Sequence, residues 1–552
     1  MFTRMRVKKH LLWIVLIAAI FTFPVTSTFV VPVYATEKAE EEEENVFIYG
    51  IMAPIYWNPL TMASNLFPRG MVWTTLYRYD KNYDYVPHMA ESVKKIDDYT
   101  WEVKLRPDLK WHDGEQVTSE DFKFAFDIAL NYSVVSSRWT TMVESVKVVD
   151  DLTFQVKHKT KVPFASWLGG NGLCVPKHEW EAKGAVGEAA TTFENIPPIG
   201  NGPFKFVDFK AGEWYEFEAF DDYFLGRPAI DRLIIRQFTS NEAMMAAFKA
   251  GEIDAIGSGL PIQAAKELAK IPGVEINITP SNQPLDIYFN LYPDGKQHPA
   301  LLDLNVRKAL LMATDKNYLN NTLHPDLTVA FSLIPPMRST YYAKEYLDIY
   351  PKFDIAGANK LLDNAGYKMG SKGIRVGPDG RPLKFRLIVV KDFSDEIRGA
   401  EIIKNWWNQI GVEIEVTVAE GGTAWDTVVT PPYDWDLETY AWYCFDPVSV
   451  WWPFTSDAIP AKWSSSGYHN PEYDALYQKL LNTKTEKEMV ATIKELQVHM
   501  VENAVELTLY FNADASAWWA NKWLVHEEAK ELGGIYFYGL NHRPFNYIEP
   551  VK

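Results

Sequence analysis

The sequence has 552 residues, more than a single hydrophobic core usually accommodates, so two or three lobes are expected. Its formal net charge is −17, which argues against a nucleic-acid partner, because binding phosphates requires a basic surface.

The N-terminus has the three parts of an export signal. A basic stretch, Arg4–His10, precedes an apolar run, Leu11–Phe23. Val33 and Ala35 then place small side chains at the −3 and −1 positions of a cleavage site. We expect cleavage after Ala35 and a periplasmic or cell-surface protein. An uncleaved membrane anchor is the alternative, although the apolar run is short for a span of about 20 residues.

The chain has two cysteines, Cys174 and Cys444. Neither follows the export signal closely, so no lipid-bearing cysteine is expected after cleavage. Their separation matches no zinc-binding or CxxC spacing. We predict two buried free thiols, with a disulfide between them as the alternative.

Hydrophobic periodicity predicts strands and helices that alternate along most of the chain. The predicted strands are Asn45–Tyr49, Trp101–Leu105, Phe204–Phe209, Leu233–Gln237, Glu252–Ile256, Pro284–Leu291, Leu383–Val390 and Val412–Val418. Helices are predicted after Thr118, after Ser240, after Asp354 and over Ile402–Ile410. This alternation is typical of the α/β class.

Capping residues define the predicted ends of two of these helices. Thr118 is a candidate N-cap with Asp121 three residues later, which is the spacing of a capping box. Ser240 is a second N-cap, and Gly251 ends that helix where a left-handed residue is favoured. With the strands on either side, the second helix predicts a βαβ unit.

The segment Tyr433–Phe454 is unusually aromatic, with nine aromatic residues among 22 against a chain average of 14%. Alternation predicts a strand over Tyr433–Trp442 that delivers rings and carboxylates into a pocket. A second candidate is the loop around Trp57, since loops commonly contact ligands. The predicted ligand-binding residues are Tyr56, Trp57, Asn58, Asp436, Tyr440, Trp442, Tyr443, Asp446, Trp451 and Trp452. The alternative for each ring is a place in the core.

No HExxH, GxSxG or P-loop motif occurs, so no catalytic residue, metal ligand or cofactor is predicted. Asp434, Asp436 and Glu438 share one face of the predicted strand. A secreted glycoside hydrolase would need two carboxylates on opposite sides of one bond. Three acids on one strand face are better explained as ligand hydrogen-bonders or as solvated groups.

Several stretches together resemble the solute-binding protein family 5 of ABC importers, whose members take peptides, oligosaccharides or nickel complexes. The most specific is Tyr99–Phe122, with the elements LR, WHDG and TxxD. Further matching stretches are Pro87–Ser92, Gly200–Lys205, Tyr223–Asp231, Lys249–Asp254, Val306–Asp315, Asp354–Tyr367 and Gly467–Asp474.

The resemblance implies an α/β, periplasmic-binding-protein-like clam shell with two main lobes and an inserted third domain. The implied boundaries are 1–35 for the signal peptide, 36–45 for an acidic leader, 46–77, 195–285 and 508–552 for domain I, 78–194 for domain II, and 286–507 for domain III. It also implies hinge closure on a ligand, a monomer, and permease and ATPase partners at the membrane. His112 is then a structural turn residue.

The ligand is predicted to be an oligosaccharide, with a short peptide as the alternative. Peptide-binding members typically carry an aspartate after the tryptophan of the strand, which pairs with the peptide's amino terminus. The corresponding segment of this sequence, Trp442–Pro447, is shorter and keeps only Asp446. Indole rings cover the apolar faces of sugars, and Asp436, Asn58 and 464–466 could hydrogen-bond their hydroxyls.

Overall fold

A long mixed sheet dominates the computed structural model and carries the candidate site at its centre. The structure describes residues 44–52, 55–60, 70–80, 85–132, 143–159, 161, 174–257, 260–323, 328–391, 394–441, 444, 447–531 and 544–551. The predicted signal peptide lies outside these residues, and so do Trp442, Tyr443 and Asp446.

The strands are listed here in chain order. They are β1 Val46–Ile51, β2 Tyr77–Tyr79, β3 Tyr85–Pro87, β4 Ala90–Lys95, β5 Thr100–Leu105, β6 Val143–Asp150, β7 Thr153–His158, β8 Phe204–Lys210, β9 Trp214–Ala219, β10 Arg232–Gln237, β11 Ala255–Ile256, β12 Val274–Phe289, β13 Thr328–Val329, β14 Lys368–Met369, β15 Arg375–Val376, β16 Lys384–Val390, β17 Glu413–Ala419, β18 Leu437–Ala441, β19 Glu506–Trp519, β20 Trp523–Val525 and β21 Ile548–Pro550.

The α-helices follow the same order. They are α1 Ser119–Asn131, α2 Lys177–Ala182, α3 Asn241–Lys249, α4 Ile262–Leu268, α5 Leu304–Met312, α6 Lys316–Leu323, α7 Ile355–Asn364, α8 Ser394–Gln409, α9 Gly421–Val429, α10 Pro471–Leu481, α11 Glu486–Glu502 and α12 Glu527–Glu531.

The main sheet has the strand order β17-β16-β18-β12-β19-β11-β1-β10-β9-β8, with β13 added beside β19. Strands β12 and β19 are the longest, and their antiparallel pairing joins the two halves of the sheet. The β12–β19 register shifts between Pro280 and Pro284, so β12 is irregular near its middle. The aromatic segment therefore reaches the sheet at its centre, where β18 lies between β16 and β12.

The predicted βαβ unit is confirmed. Strands β10 and β11 lie on either side of β1, and both run parallel to it, with α3 between them in sequence. The Ser240 side chain accepts a hydrogen bond from the Ala243 backbone, and Gly251 has a φ of 74°. The strand predicted over Glu252–Ile256 is shorter and comprises Ala255–Ile256 only.

A separate four-stranded antiparallel sheet has the order β4-β5-β7-β6. The predicted capping box of α1 is present, because the Thr118 backbone N–H donates to Asp121 at 2.8 Å. Phe122 and Phe126 from this helix are buried, as the helical spacing predicts.

His112 is a structural residue in this protein. The Gly200 N–H donates to its Nδ1 at 3.2 Å, and its Nε2 lies 3.0 Å from the Gly202 carbonyl oxygen. Burial lowers the pKa of His112 to about 4, so the ring is neutral and Nε2 carries the proton. A Cβ at Gly200 would lie 1.8 Å from the Val72 carbonyl oxygen, which explains why glycine stands there.

The buried apolar side chains of the described residues form two large clusters and one small one. Cys174 and Cys444 are both buried thiols that form no disulfide among the described residues, which confirms the prediction. No helix in the described part of the chain combines the length and the apolar character that crossing a membrane requires.

Candidate functional site

The loop around Trp57 does not present that ring to a ligand. Trp57 is 6% exposed and packs against Phe206, Phe209, Tyr215 and Phe217, with ring centroids 5.1 to 6.2 Å away. Its position in a loop predicted exposure, but the hydrophobic gain of burying an indole against four rings is larger. The structure therefore assigns Trp57 to the core, the alternative that the sequence left open.

The two neighbours of Trp57 differ from each other. Asn58 is buried, and its amide nitrogen donates to the carbonyl oxygens of Ala190 and Phe193 at 2.9 and 2.8 Å. It thereby ties two segments of the chain together. Tyr56 is 55% exposed, so of this loop only its ring is accessible to a ligand.

Two of the tryptophans in the aromatic segment are also core residues. Trp435 and Trp451 are each 1% exposed. The Trp435 Nε1 donates to the Val428 carbonyl oxygen at 3.3 Å, and the Trp451 Nε1 donates to the Pro447 carbonyl oxygen at 2.9 Å. Because their polar atoms are satisfied internally, neither ring is free to contact a ligand. Trp452 is half-buried against the same cluster.

Both carboxylate oxygens of Asp436 accept hydrogen bonds from the protein. One carboxylate oxygen accepts from the His298 backbone N–H at 2.7 Å. The other accepts from the Arg386 backbone N–H at 2.9 Å and from its Nε at 3.0 Å. The pairing with Asp436 raises the pKa of Arg386 above its already high value. Asp436 therefore fixes the start of β18, and its carboxylate is bound within the protein.

The serines at 464–466 are likewise internal, since all three are fully buried. The Ser464 hydroxyl oxygen accepts from the Gly467 N–H at 2.9 Å, and the Ser466 hydroxyl oxygen accepts from the Tyr468 N–H at 3.3 Å. These hydroxyl groups stabilise a turn and are not accessible to a ligand.

The predicted strand is shorter than the alternation suggested, since β18 covers only Leu437–Ala441. The chain that follows is held against the irregular part of β12. Cys444 donates its N–H to the Asn282 carbonyl oxygen at 2.9 Å. Its own carbonyl oxygen accepts from the Asn282 amide at 3.1 Å and from the Arg338 guanidinium at 3.2 Å. The end of β18 is thus anchored at the centre of the sheet.

Tyr440 is the fully described candidate on β18 that remains accessible, and it belongs to a row of three half-buried rings. The Trp425 ring, on α9, lies 5.5 Å from the Tyr440 ring and 6.0 Å from the Trp463 ring, measured between centroids. We call Trp425, Tyr440 and Trp463 the ring group. Sequence reasoning missed Trp425 and Trp463, because Trp425 precedes the aromatic-rich stretch and Trp463 follows it. The Trp425 ring contacts the other two, and these contacts form only in the fold.

Polar side chains on one face of the sheet continue from the ring group. Tyr440 stands opposite Asp286 on β12, and Glu438 stands opposite Tyr288. On the other side of β12, Asp286 faces Thr508 of β19 and Tyr288 faces Glu506. Side chains of alternate residues share a face, and opposite residues are about 5 Å apart. Three strands thus place three acids on one face, and we call Asp286, Glu438 and Glu506 the acid array.

The acid array is buried and poorly hydrogen-bonded. The Tyr288 hydroxyl donates to Asp286 Oδ2 at 3.1 Å. Among the described residues, Asp286 Oδ1, Glu506 Oε2 and both oxygens of Glu438 have no hydrogen-bond partner. Burial raises the pKa of Asp286 to about 8 and the pKa of Glu438 well above its ordinary value. Burial therefore favours the neutral form of these carboxyl groups.

Two further ionisable groups lie close to the array. Glu396 on α8 accepts a hydrogen bond from the Thr439 hydroxyl at 2.7 Å, and burial raises its pKa to about 8. Lys316 on α6 donates to the Ala330 carbonyl oxygen and lies over the Tyr350 ring. Burial lowers its pKa, while Asp286 acts in the opposite direction. No hydrogen bond joins this lysine to Glu438.

The residues described here can bind a ligand by stacking and by accepting hydrogen bonds. In the described part of the chain, no group of three or more His, Cys, Asp or Glu side chains could hold a metal ion. The site therefore combines a half-buried aromatic surface with buried carboxyl groups on the same face of the sheet.

Comparisons with known proteins place the chain in one family. The sequence pattern of the bacterial extracellular solute-binding proteins, family 5 Middle, matches residues 84–461. The chain is 25% identical over 449 residues to the oligopeptide-binding protein AppA of Bacillus subtilis, covering 80% of this chain and 81% of AppA.

Solved structures share the fold. The crystal structure of AppA from Bacillus subtilis with a nonapeptide has a TM-score of 0.72 and 23% identity, covering 92% of this chain and 99% of AppA. The ABC transporter substrate-binding protein CtaP from Listeria monocytogenes has a TM-score of 0.78 and 22% identity, covering 93% and 100%. A Thermotoga maritima protein with bound mannohexaose has a TM-score of 0.72 and 21% identity, covering 92% and 99%.

The α/β clam-shell fold that the resemblance implied is confirmed by these neighbours. The match to the family covers more than half of the chain, including the WHDG turn, the segment β10-α3-β11 and the strand that carries Tyr440. The chain therefore belongs to the bacterial extracellular solute-binding proteins of family 5, which are the substrate-binding components of ABC importers.

Proposed function

We propose that this protein captures a short peptide outside the cytoplasm and delivers it to an ABC importer. The observation that carries the proposal is the match to an oligopeptide-binding protein across about four-fifths of both chains. It favours the peptide alternative over the oligosaccharide predicted from the aromatic residues. In this proposal the ligand is bound and released unchanged.

The site is compatible with a peptide. The ring group offers half-exposed aromatic surface for apolar side chains. Burying one large side chain there gives about 1.5–3 kcal/mol, while a micromolar site needs about 8 kcal/mol net. Several contacts are therefore required, which an extended peptide can supply along a cleft.

An oligosaccharide remains the second candidate, supported by the ring group and by the solved neighbour that holds mannohexaose. Two rings at such spacing can stack on the apolar faces of sugar residues. Asp436, Asn58 and the serines at 464–466 no longer support this candidate, because the protein itself uses their polar atoms.

Titration calorimetry of the purified mature protein separates the two candidates. Di- to pentapeptides and a nonapeptide would be compared with α- and β-linked oligosaccharides of matched size. We expect micromolar or tighter binding of at least one peptide length and no heat from the sugars. Binding of sugars with no response to any peptide would make the second candidate correct.

We further propose that ligand capture is a hinge closure, with the domain boundaries implied by the family resemblance. The irregular stretch of β12 between Pro280 and Pro284 would absorb part of the change in backbone dihedral angles. Small-angle scattering should show a smaller radius of gyration at saturating peptide. An identical envelope with and without bound ligand would contradict closure.

Export after removal of residues 1–35 belongs to the same proposal. Its support is the tripartite N-terminus together with membership of an extracellular family. N-terminal sequencing of the protein recovered outside the cytoplasm should begin at or near Thr36. Recovery of a membrane-bound chain that starts at Met1 would show an anchor instead.

A further inference from the structure

An ion pair joins two parts of the chain that are far apart in sequence. Asp98 lies in the turn between β4 and β5, and Lys484 lies between α10 and α11. The Lys484 ammonium group donates a hydrogen bond to Asp98 Oδ2, across 386 positions of the sequence. We call this contact the bridging ion pair. It connects the turn of the separate four-stranded sheet to the turn of a helix pair.

The two sides of the bridging ion pair pack in different hydrophobic cores. The four-stranded sheet contributes Val103 and Phe154 to the large apolar cluster that also contains Phe47 of β1. Helices α10 and α11 contribute Leu480 and Ile493 to the other large cluster. The backbone links these regions through the pairing of β12 with β19, which joins the two halves of the main sheet. The bridging ion pair is therefore a second connection, made by side chains, between two separately packed regions.

Both turns are ordered, which positions the two charges. Asp97 Oδ1 accepts hydrogen bonds from the backbone N–H groups of Tyr99 and Thr100 at 2.7 and 2.8 Å. On the other side, the Lys484 N–H donates to Glu488 Oε2 at 2.8 Å, next to the capping box that begins α11. Because the backbone of each turn is fixed, less conformational entropy is lost when the charges meet.

Two further lysines contact Asp98. Lys95 at the end of β4 and Lys161 beyond β7 place their ammonium groups 3.5 and 3.4 Å from its carboxylate oxygens. The hydrogen bond from Lys484, together with Lys161, lowers the pKa of Asp98 to about 2. Without this carboxylate, Lys484 would face two ammonium groups, and like charges repel. The attraction between the two regions at this point therefore depends on Asp98.

The bridging ion pair is partly exposed to solvent. The side chains of Asp98 and Lys484 retain 32% and 56% of their accessible surface. Exposed ion pairs contribute little to the free energy of unfolding, because solvent screens them and ordering long side chains costs entropy. A small contribution nevertheless changes the populations of two conformations that have similar free energies. A contact of this kind suits two regions that separate and rejoin.

We propose that the bridging ion pair holds the four-stranded sheet against the helix pair α10–α11 and thereby keeps a larger fraction of ligand-free molecules closed. This inference rests on the proposed hinge closure and identifies residues that set its equilibrium. The apparent affinity for a ligand of the closed form scales with the fraction of molecules that are already closed. Asp98 and Lys484 are thus positioning residues, which act on binding through that fraction.

Distances between two spin labels test the proposal without any ligand. Ser92→Cys on β4 and Ala475→Cys on α10 provide exposed, uncharged labelling positions, and both native cysteines are buried. At low salt, the protein with its native charges should show a short-distance population, and Asp98→Asn should at least halve it. Sodium chloride at about 1 M, where the screening length is about 3 Å, should have the same effect as Asp98→Asn.

A charge exchange shows whether the effect passes through the pair. Asp98→Lys should shift the labels to the long distance, because it brings four ammonium groups together. Adding Lys484→Glu to that variant should restore the short distance, which also shows that the substituted turn still folds. Glu91→Gln is the matched control, since Glu91 pairs with Lys104 within the same four-stranded sheet at 2.8 Å. It should leave the distance distribution unchanged.

Ligand affinity provides an independent measurement. The probes are the di- to pentapeptides and the nonapeptide of the calorimetric comparison. Asp98→Asn should weaken binding of whichever peptide binds by about threefold, because fewer molecules are closed before it arrives. The double variant Asp98→Lys, Lys484→Glu should regain the wild-type affinity, and Glu91→Gln should not differ from wild type.

The outcomes separate this inference from the proposed function. The inference is overturned if the native protein shows no short-distance population, or if Asp98→Asn leaves the distances unchanged, and peptide capture stands in both cases. Failure of Lys484→Glu to reverse Asp98→Lys also overturns it, as does an unaltered peptide affinity in a variant whose distances have changed. If no peptide binds, the proposed function fails, while the label distances still decide whether the ion pair holds the two regions together.

Discussion

The loop Tyr56–Asn58 and the strand β18 both combine aromatic rings with polar side chains, yet the protein uses them differently. In the loop, Trp57 is enclosed by four rings, and the Asn58 amide donates hydrogen bonds to two backbone carbonyl oxygens. On β18, Tyr440 stays half-buried, and Glu438 has no partner. What separates a packing site from a candidate ligand site is therefore whether the protein itself satisfies the groups.

The same contrast holds within a few residues. Asp436 and Glu438 are both buried and lie two positions apart on one face. Asp436 accepts hydrogen bonds from two backbone N–H groups and from Arg386, whereas Glu438 accepts none. Burial alone therefore does not distinguish the two residues. The hydrogen bonds to Asp436 identify it as a structural residue.

The largest expected effect tests the packing role of Trp57. Trp57→Ala should lower the free energy of unfolding by about 3–5 kcal/mol, because it leaves a cavity among four rings. Urea denaturation measures the change, and Tyr56→Ala at the exposed neighbour is the control, with an effect within about 0.5 kcal/mol. A Trp57→Ala protein of normal stability that had lost ligand affinity would break the comparison.

The second prediction concerns Asp436. Asp436→Asn should cost about 2–3 kcal/mol, because the new amide cannot accept from all the donors that the carboxylate now satisfies. The estimate rests on the backbone N–H donors, since Arg386 is 43% exposed and its ion pair is screened. Equilibrium unfolding in urea at neutral pH measures the loss.

Asp434→Asn is the matched control for that variant. Asp434 pairs with the same Arg386 at 2.7 Å but is 54% exposed. Its loss should change the free energy of unfolding by less than about 0.5 kcal/mol. Equal effects of the two substitutions would show that the ion pair, and not the buried hydrogen bonds, holds the entry to β18.

The third prediction sharpens the binding side of the comparison. Trp425→Ala should weaken binding of the preferred ligand by about tenfold, or 1.4 kcal/mol, because it removes one wall of the ring group. Calorimetric titration measures it, with Tyr318→Ala at an exposed ring on α6 as the control. Unchanged affinity would mean that Trp425 only covers the sheet.

The smallest expected effect is the pH dependence of stability without ligand. Glu438 has a folded-state pKa above its unfolded value of about 4.3, so the folded protein binds the extra proton. Wild-type stability should fall as pH rises from about 5 to 8, a window in which Asp286 and Glu396, with pKa values of about 8, act in the same direction.

Glu438→Gln should reduce that fall and, at pH 8, raise the free energy of unfolding by about 1 kcal/mol. Urea midpoints at pH 5 and pH 8 measure both effects, and Glu415→Gln serves as the exposed control. A steeper fall in Glu438→Gln than in wild type would show that the carboxylate is charged and stabilised in the folded state.

Local patterns in the sequence were sufficient for the fold class. The capping box at Thr118, the cap at Ser240 and the β10-α3-β11 unit all occur where they were predicted. These features depend on hydrogen bonds and periodicity within a few residues, so the order of residues specifies them directly. The family match followed from similar short stretches around the WHDG turn.

The candidate site was predictable only in part. Sequence alternation placed Glu438 and Tyr440 on one face of a strand, and the register of β18 agrees. Trp425 and Trp463 join Tyr440 from other elements, and Asp286 and Glu506 come from strands 152 and 68 positions away. Contacts between positions so far apart depend on how the sheet assembles, which no local pattern encodes.

By itself, the sequence determined the alternation of strands and helices, their caps and the aromatic richness of the region around β18. Tertiary structure alone decided which of those aromatic side chains are packed in the core and which of the acidic ones are hydrogen-bonded within the protein. Burial and hydrogen bonding depend on partners from distant segments: Arg386 and His298 reach Asp436, while no donor in the described ranges reaches Glu438. That difference, set by strand order and register, separates the carboxylate that fixes the entry to β18 from one whose oxygens accept no hydrogen bond in the described part of the chain.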